Sequence, residues 1–289
     1  VARIAVKKTY KLYIGGAFPR TESGRYYQVI DTNGDFVANI CRASRKDFRN
    51  SVKAARKAQE SWAARTAFNR GQILYRMAEM LESRRAMFET MLLEHAGQSK
   101  KDAKVEVSAA IDRIVWYAGW SDKFAQVFGA VNPVAGPYFN FTTPAATGVV
   151  AVVTPESNPL LGLVSSIIPV LVGGNTCVAV VESQCPQIAI EFAEVLATSD
   201  LPGGVINILT GYRSELLPHV GTHMDVDAVS AFGLSQDERR ELELAGAESV
   251  KRVKVEPDLG KGWLIDSGQS PYRIMPFVEF KTAWHPIGR

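Results

Sequence analysis

Cysteine is scarce in this chain and no hydrophobic run is long. Three cysteines, Cys41, Cys177 and Cys185, have neither the even count of a disulfide framework nor the close pairing of a zinc knuckle, so they are expected to be reduced. The most apolar stretch, 160–172, is too short to span a bilayer and is interrupted by Ser165, Ser166 and Pro169. It reads as a buried helix, and no membrane association is expected. Neither sign of charge dominates: 33 Lys and Arg stand against 30 Asp and Glu, a formal charge of +3, and the basic residues are dispersed. Nucleic acid is therefore not an expected partner. No charged leader followed by an apolar stretch opens the sequence, where Lys7, Lys8 and Lys11 lie among Tyr10, Tyr13 and the pair Gly15 and Gly16. A cytoplasmic location is expected.

What is present is 289 residues, 46% hydrophobic and 22% charged, enough to bury a substantial core in one large domain with appendages or in two small ones. The short runs 11–14, 25–30 and 36–40, separated by Gly-, Asn- and Asp-rich turns, predict a β arm. Ser44 with Asp47 three residues on reads as an acidic capping box, after which Phe48, Val52, Ala55 and Trp62 recur at helical spacing. The pattern repeats through Ile73, Leu74, Met77, Leu81, Phe88 and Leu92 and through Val107, Ile111, Ile114, Val115 and Ala118, so the region from Ser44 to about Phe128 is expected to be helical.

After Pro133, Gly136 and Pro137 the texture changes. The runs 149–153, 176–181, 205–209, 227–232 and 252–255 have strand length and are mostly apolar, as strands covered on both faces are. Between them lie candidate crossover helices at 159–172, 186–198, 214–220 and 236–249. This alternation predicts an α/β fold with a Rossmann-like parallel sheet. The glycines, serines and Pro271 between 260 and 271 read as an irregular link, followed by a last strand at 277–284 with no evident partner. The expected divisions are a β arm (1–43), a helical part (44–132), a Rossmann-like domain (133–259) and a linker with terminal strand (260–289).

Several of these segments carry a family pattern. Gly148 to Pro155 followed by Asn158-Pro-Leu160, Ile168-Pro169, the turn Gly173-Gly-Asn-Thr176 and the strand from Asp200 to Gly211 resemble the cofactor domain of the aldehyde dehydrogenase superfamily, in its order and spacing. Tyr13 to Gly16, Ala54 and Ala55 with Trp62, Arg70, and Leu81 to Arg84 resemble its N-terminal arm and helices. The stretch from Phe277 to Ile287 is similar to the C-terminal strand that family members use in oligomerisation. The resemblance implies the family's cofactor-domain fold, an NAD(P) cofactor and, for a complete member, oxidation of aldehydes.

The chemistry implied by the resemblance needs a cysteine thiolate, an oxyanion donor, a nicotinamide and a base. No cysteine follows Cys185, although the family's nucleophile lies in a second α/β domain beyond a Glu-Leu-Gly-Gly motif. Here Lys251 to Glu256 matches the approach to that motif, and Pro257-Asp258 replaces its continuation. The terminal strand then follows within about thirty residues, below the size of a domain, which implies that the cysteine-bearing domain is missing from the middle. Cys177 lies inside an expected strand and Cys185 at its exit, so packing is their expected role. The family's oxyanion asparagine falls at Ser157, with Asn158 one residue displaced; loop capping is the alternative for both. Glu256 matches the family's base, and its expected state is a solvated carboxylate at a strand end.

For the cofactor, the family's ribose-binding lysine and glutamate fall at Val180 and Ser183. Thr154, Pro155, Ser157, Gly211 and Gly233 are the candidate cofactor contacts, while Asp237 and Glu238, at the start of the last crossover helix, would repel a phosphate. No cofactor is expected unless that site is retained, in which case it is NAD(P). His219 and His223 have metal-pair spacing but no third ligand, so no metal site is expected. Asn140-Phe-Thr142 matches a glycosylation acceptor, without meaning in a cytoplasmic chain.

The expected function is that of a subunit lacking its own nucleophile, the structural or regulatory partner of a full-length catalytic aldehyde dehydrogenase. Self-association through the terminal strand is the other partnership, since a β arm and a bare strand need cover. Two alternatives stand beside it: an oxidoreductase subunit active only in a complex, and a stand-alone nucleotide-binding module.

Overall fold

The computed structural model describes residues 4, 6–31, 33–181 and 184–288, the side chain of Ser267 excepted. Strands β1 (Thr9–Tyr10), β2 (Tyr26–Ile30) and β3 (Phe36–Cys41) form a small sheet in the order β1-β3-β2. Helix α1 (Arg45–Ala63) opens on the capping box expected from Ser44 and Asp47. The Ser44 hydroxyl accepts the Asp47 N–H at 3.3 Å, and the Asp47 carboxylate accepts the Ser44 N–H at 2.7 Å. Helices α2 (Ala67–Ser83), α3 (Arg85–Glu94), α4 (Lys100–Trp120) and α5 (Phe124–Phe128) follow. Their buried positions include Leu74, Met77, Leu81, Phe88, Leu92, Val107 and Ile114, on the face that the 3.6-residue period marks.

Strands β4 (Ala130–Asn132) and β5 (Tyr138–Ala146) lead into the parallel core of β6 (Val149–Val153), α6 (Leu161–Val172), β7 (Thr176–Val181), α7 (Gln187–Leu196), β8 (Ile206–Thr210), α8 (Arg213–Thr222), β9 (Ala228–Phe232), α9 (Gln236–Ala247) and β10 (Arg252–Glu256). These five strands lie in the order β10-β9-β6-β7-β8. The residues of β6 to β9 are buried throughout, which is why their sequences are mostly apolar with no polar alternation, whereas edge strand β10 keeps Lys254 and Glu256 partly exposed. Every residue of α6 is buried, and the helix packs against both α4 and the sheet. The apolar stretch at 160–172 is thus the central helix of the molecule.

Two expectations are corrected here. The run 11–14 is not a strand of the arm; it covers the β8 edge of the parallel sheet, where Tyr13 and Ile208 exchange N–H···O bonds of 3.0 and 2.8 Å. The close approach needs small residues on both sides: Gly16 has φ +84°, and a Cβ there would stand 2.9 Å from the Gly203 Cα. The terminal strand β11 (Val278–Pro286) does have a partner, pairing antiparallel with β5 along its full length in a sheet of order β11-β5-β4. Strand β5 escapes sequence reading because Pro144 interrupts it and a proline argues against a central strand. Strand β4 reaches only as far as Thr142, so the proline lies where β5 has a neighbour on one side alone.

The segment after β10 is not a loose link. It folds as successive 3₁₀ turns, Gly260–Leu264, Asp266–Gly268, Pro271–Arg273 and Met275–Phe277, too short for periodicity to reveal. Its anchors Trp263, Ile274 and Phe277 are buried, and the Trp263 ring meets Phe232 edge-on with centroids 5.4 Å apart. Arg113 of α4 holds the segment from beneath, donating to the Trp263 carbonyl at 2.8 Å, the Gln269 side chain at 3.1 Å and the Gly268 carbonyl, as well as to the Ser165 hydroxyl of α6 at 2.6 Å. Tyr117 donates to the Ser270 carbonyl at 3.1 Å, and Asn175 to the Phe277 carbonyl at 2.7 Å. Because the Trp263 side chain is fully enclosed, Trp263→Ala is expected to lower unfolding stability by about 3–5 kcal/mol, read as a reduced urea midpoint with the far-ultraviolet dichroism retained below it.

Candidate functional site

Chain order reverses between β6 and β9, so the loops after these two strands diverge and leave a crevice at the carboxyl edge of the sheet. The loop after β6 begins at buried Thr154, whose N–H and hydroxyl both donate to the Val180 carbonyl, at 3.1 and 3.3 Å. Pro155 is also buried and is pressed against the first turn of α6: a Cβ on Gly162 would stand 2.8 Å from the Pro155 ring and 2.6 Å from the Ser157 carbonyl. Both side chains fasten the loop to the core.

Ser157 is held by a residue that the sequence does not single out as a site. The Asp258 carboxylate, just beyond β10, accepts the N–H groups of Glu156 at 3.0 Å and Ser157 at 2.9 Å, the Ser157 hydroxyl, the Gly260 N–H at 3.2 Å and the Trp263 indole N–H at 3.0 Å. Burial by itself would raise this carboxyl, but the donors from Ser157, Trp263 and Gly260 outweigh it and hold the group below the usual carboxylate range. Asn158 adopts φ +49° and directs its amide toward the Glu106 carboxylate, at the long separation of 3.5 Å. Glu106 of α4 is buried and accepts the Leu160 and Leu161 N–H groups at 2.9 and 3.1 Å, capping α6, which has no side-chain cap of its own.

On the far side of the crevice, Gly233 has φ +66° and donates its N–H to the Glu256 carbonyl at 3.0 Å. The N-terminus of α9 is occupied by its own capping box: the Ser235 hydroxyl accepts the Glu238 N–H at 3.3 Å, and the Glu238 carboxylate accepts the Ser235 N–H at 2.8 Å. Arg213 of α8 lies 3.0 Å from that carboxylate and 3.4 Å from the Glu156 carboxylate, joining the loops after β6 and β9. Burial would raise the Glu238 carboxyl, but the Ser235 hydrogen bonds and Arg213 bring it below its ordinary value. Gly211 is buried away from this crevice, its N–H donating to the Val181 carbonyl at 3.3 Å, with the Ala43 N–H 3.3 Å from where a Cβ would stand. Val180 is a core residue of β7, and Ser183 lies outside the described residues.

Glu256 is not the solvated carboxylate expected from sequence. Its side chain is 23% exposed and lies between Lys254 at 3.1 Å and Arg273 at 3.4 Å, the latter supplied by the folded segment after β10. A cleft of about 370 Å³ opens beside the β6 loop, lined by Gln98, Ser157, Asn158, Gln184, Cys185 and Asp258 among others. The Cys185 thiol borders it but is 2% exposed, donates to the His95 carbonyl at 3.1 Å, and is pushed up to about 11 by burial and by the Glu106 charge. Burial drives the Cys177 thiol higher still.

The other sequence signals resolve simply. His219 and His223 are both lowered by burial, the His223 Nδ1 accepts the Asp225 N–H at 3.2 Å, and no metal-holding cluster of His, Cys, Asp or Glu occurs among the described residues. Asn140 is buried in β5, its side-chain oxygen accepting from Asn132 at 2.6 Å, while Phe141 and Thr142 are partly buried. No helix among the described residues is long and apolar enough to cross a membrane.

With this geometry in view, the aldehyde dehydrogenase family profile matches residues 18–262. The chain belongs to the aldehyde dehydrogenase family. It is 32% identical over 254 residues to human retinal dehydrogenase 2, covering 86% of this chain and 48% of that protein. With human aldehyde dehydrogenase 1A1 it shares 29% identity over 278 residues, covering 94% of this chain and 53% of that protein. The NAD⁺ complex of an aldehyde dehydrogenase from Bacillus cereus superposes with TM-score 0.81 at 28% identity, over 86% of this chain and 51% of that one. The chain spans about half the length of the curated relatives it matches. The parallel sheet and its helices are the fold of the aldehyde dehydrogenase cofactor domain. Within this aldehyde dehydrogenase framework Asp258, Glu106 and Arg213 are the residues that sequence reading missed. Each acts across a long interval of chain, and only the Pro-Asp at 257–258, where the family pattern breaks, hinted at one of them.

Because all three thiols are buried and burial pushes Cys177 and Cys185 upward, none is expected to react with a disulfide reagent within minutes at pH 8, and all three react once the chain is unfolded in guanidinium. Asp258 is depressed in the fold, so its stabilising contribution is complete above the ordinary carboxylate value, about 4, and is lost as pH falls through its lower folded value. Asp258→Asn is therefore expected to lose stability at pH 7 and to show a shallower fall between about pH 4 and pH 2 than the parent, in urea titrations at each pH.

Proposed function

We propose that this chain is an aldehyde-dehydrogenase-like subunit that performs no chemistry of its own and serves as a structural or regulatory partner of a full-length catalytic aldehyde dehydrogenase. The observation that carries this reading is the mutual satisfaction of the crevice. The Ser157 hydroxyl and N–H are bonded to Asp258, and the N-terminus of α9, where a pyrophosphate would sit against helix N–H groups, is capped by the Glu238 carboxylate and braced by Arg213. An incoming dinucleotide would have to displace two internal carboxylates from their donors.

The thiol chemistry points the same way, since Cys185 beside the cleft stays protonated near neutrality. The sheet formed by β4, β5 and β11 supports the assembly role: Phe280 and Trp284 are exposed on the edge strand β11, which self-association or a catalytic relative would cover. Three buried cysteines suit a reducing, cytoplasmic location.

One observation favours a second reading, an oxidoreductase subunit that binds NAD(P) and is active only within a complex: the likeness of the fold to a Bacillus cereus enzyme solved with NAD⁺. Isothermal titration of the purified chain with NAD⁺ and NADP⁺, alongside native mass measurement after mixing with a full-length aldehyde dehydrogenase, separates the two. The first reading expects no saturable heat below millimolar nucleotide and a mixed assembly. Saturable binding at micromolar nucleotide supports the second reading, and a stable monomer that ignores the partner removes the assembly role.

A further inference from the structure

The donors around Asp258 make a pocket for an anion. Two consecutive backbone N–H groups, from Glu156 and Ser157, point at Oδ2, while the Ser157 hydroxyl, the Gly260 N–H and the Trp263 indole converge on Oδ1. Both carboxylate oxygens are therefore held, and each by more than one donor. Two separate stretches of chain supply these groups: the loop after β6, and the first 3₁₀ turn, Gly260–Leu264, which gives both the Gly260 N–H and the buried Trp263 indole.

The walls stand without Asp258. Thr154 and Pro155 tie the β6 loop to the core, and Glu106 fixes the first turn of α6 behind it. Trp263 is enclosed against Phe232, with its carbonyl held by Arg113. Asp258 reaches into the pocket from a half-buried position on the rim of the cleft of about 370 Å³ that it shares with Ser157 and Asn158. The β6 loop and the Trp263 indole are thus positioned by contacts that do not involve the carboxylate they bind, and the cleft gives a path from solvent.

We propose that this is a binding pocket for small monocarboxylates, closed by Asp258 acting as the chain's own ligand, so that withdrawal of this side chain opens the site to a free carboxylate. The assignment rests on the reading above, in which internal side chains fill the crevice, and adds to it the chemical class that the vacated donors would take. A carboxylate matches them because planar oxygens on one carbon meet the two donor groups at once, as Asp258 does. Carboxylate is also the product class of aldehyde oxidation, so a partner that shifts the turn at 257–260 would couple assembly to occupancy of this pocket.

Removal of the internal ligand followed by addition of an external one tests the proposal. Thermal unfolding of the full chain is followed in increasing sodium formate, with sodium chloride at equal ionic strength as reference, for the parent and for Asp258→Ala and Asp258→Ser. The serine variant keeps one acceptor for the pocket's donors and serves if the alanine variant does not fold. Formate is expected to raise the unfolding temperature of the variant saturably, by roughly 3 °C or more at tens of millimolar, and to leave the parent at its chloride value. A variant that responds to formate no more than to chloride overturns the proposal, as does a parent that responds as strongly as its variants. The NAD⁺ titration of the parent reports separately on the functional reading, so micromolar nucleotide binding with intact formate rescue would remove that reading and leave the pocket.

Discussion

The architecture turns on a buried cation, Arg113, that forms no ion pair among the described residues. Arg113 of α4 is almost wholly enclosed, and its guanidinium is satisfied by the Trp263 and Gly268 carbonyls, the Gln269 amide and the Ser165 hydroxyl. Leaving such a group without acceptors costs several kcal/mol, so the chain after β10 cannot be a free linker while α4 is in place. Carbonyls turned inward to meet Arg113 require the tight 3₁₀ turns seen there. Those turns set Trp263 against Phe232 and deliver Arg273 to Glu256. One buried guanidinium on a helix thereby organises the segment after β10.

Three carboxylates perform the complementary task at the opposite polarity. Glu106 caps α6 from α4, Glu238 caps α9 from within, and Asp258 gathers the N–H groups of the loop after β6. In a doubly wound fold these are the places where backbone donors accumulate and where an anionic ligand is ordinarily received. Here the chain supplies the anions, and Arg213 pairs with one of them, Glu238, while also meeting Glu156 of the loop after β6. The likeness of the fold to aldehyde dehydrogenases thus leaves open what these crevice residues do, which is a property of the site and not of the fold.

The strands of the parallel sheet and their crossover helices were legible because burial on both faces leaves continuous apolar runs, and the helices up to Phe128 because one face repeats every 3.6 residues. The Ser44 cap was equally local, its bonds spanning three residues. Strand β5 and the turns between 260 and 277 were not legible, since one contains a proline tolerated only by its one-sided pairing and the others are shorter than any period. Motif spacing singles out Ser157, Gly233 and Glu256 as candidates, whereas their hydrogen-bond and ion-pair partners are not legible in it. Glu256 reads as a solvated strand end until Arg273 folds against it.

The sequence by itself determined the parallel α/β core, its helical layer and its family likeness, because those depend on periodicity, capping and turn chemistry within a few residues of each position. Only the tertiary structure decided what the chemically suggestive residues do. Ser157 meets Asp258 across 101 positions, Leu160 meets Glu106 across 54, and Arg113 meets Trp263 across 150. Hydrogen-bond and charge satisfaction act through space over a few ångströms, whatever the separation along the chain, and no local pattern of residues encodes them.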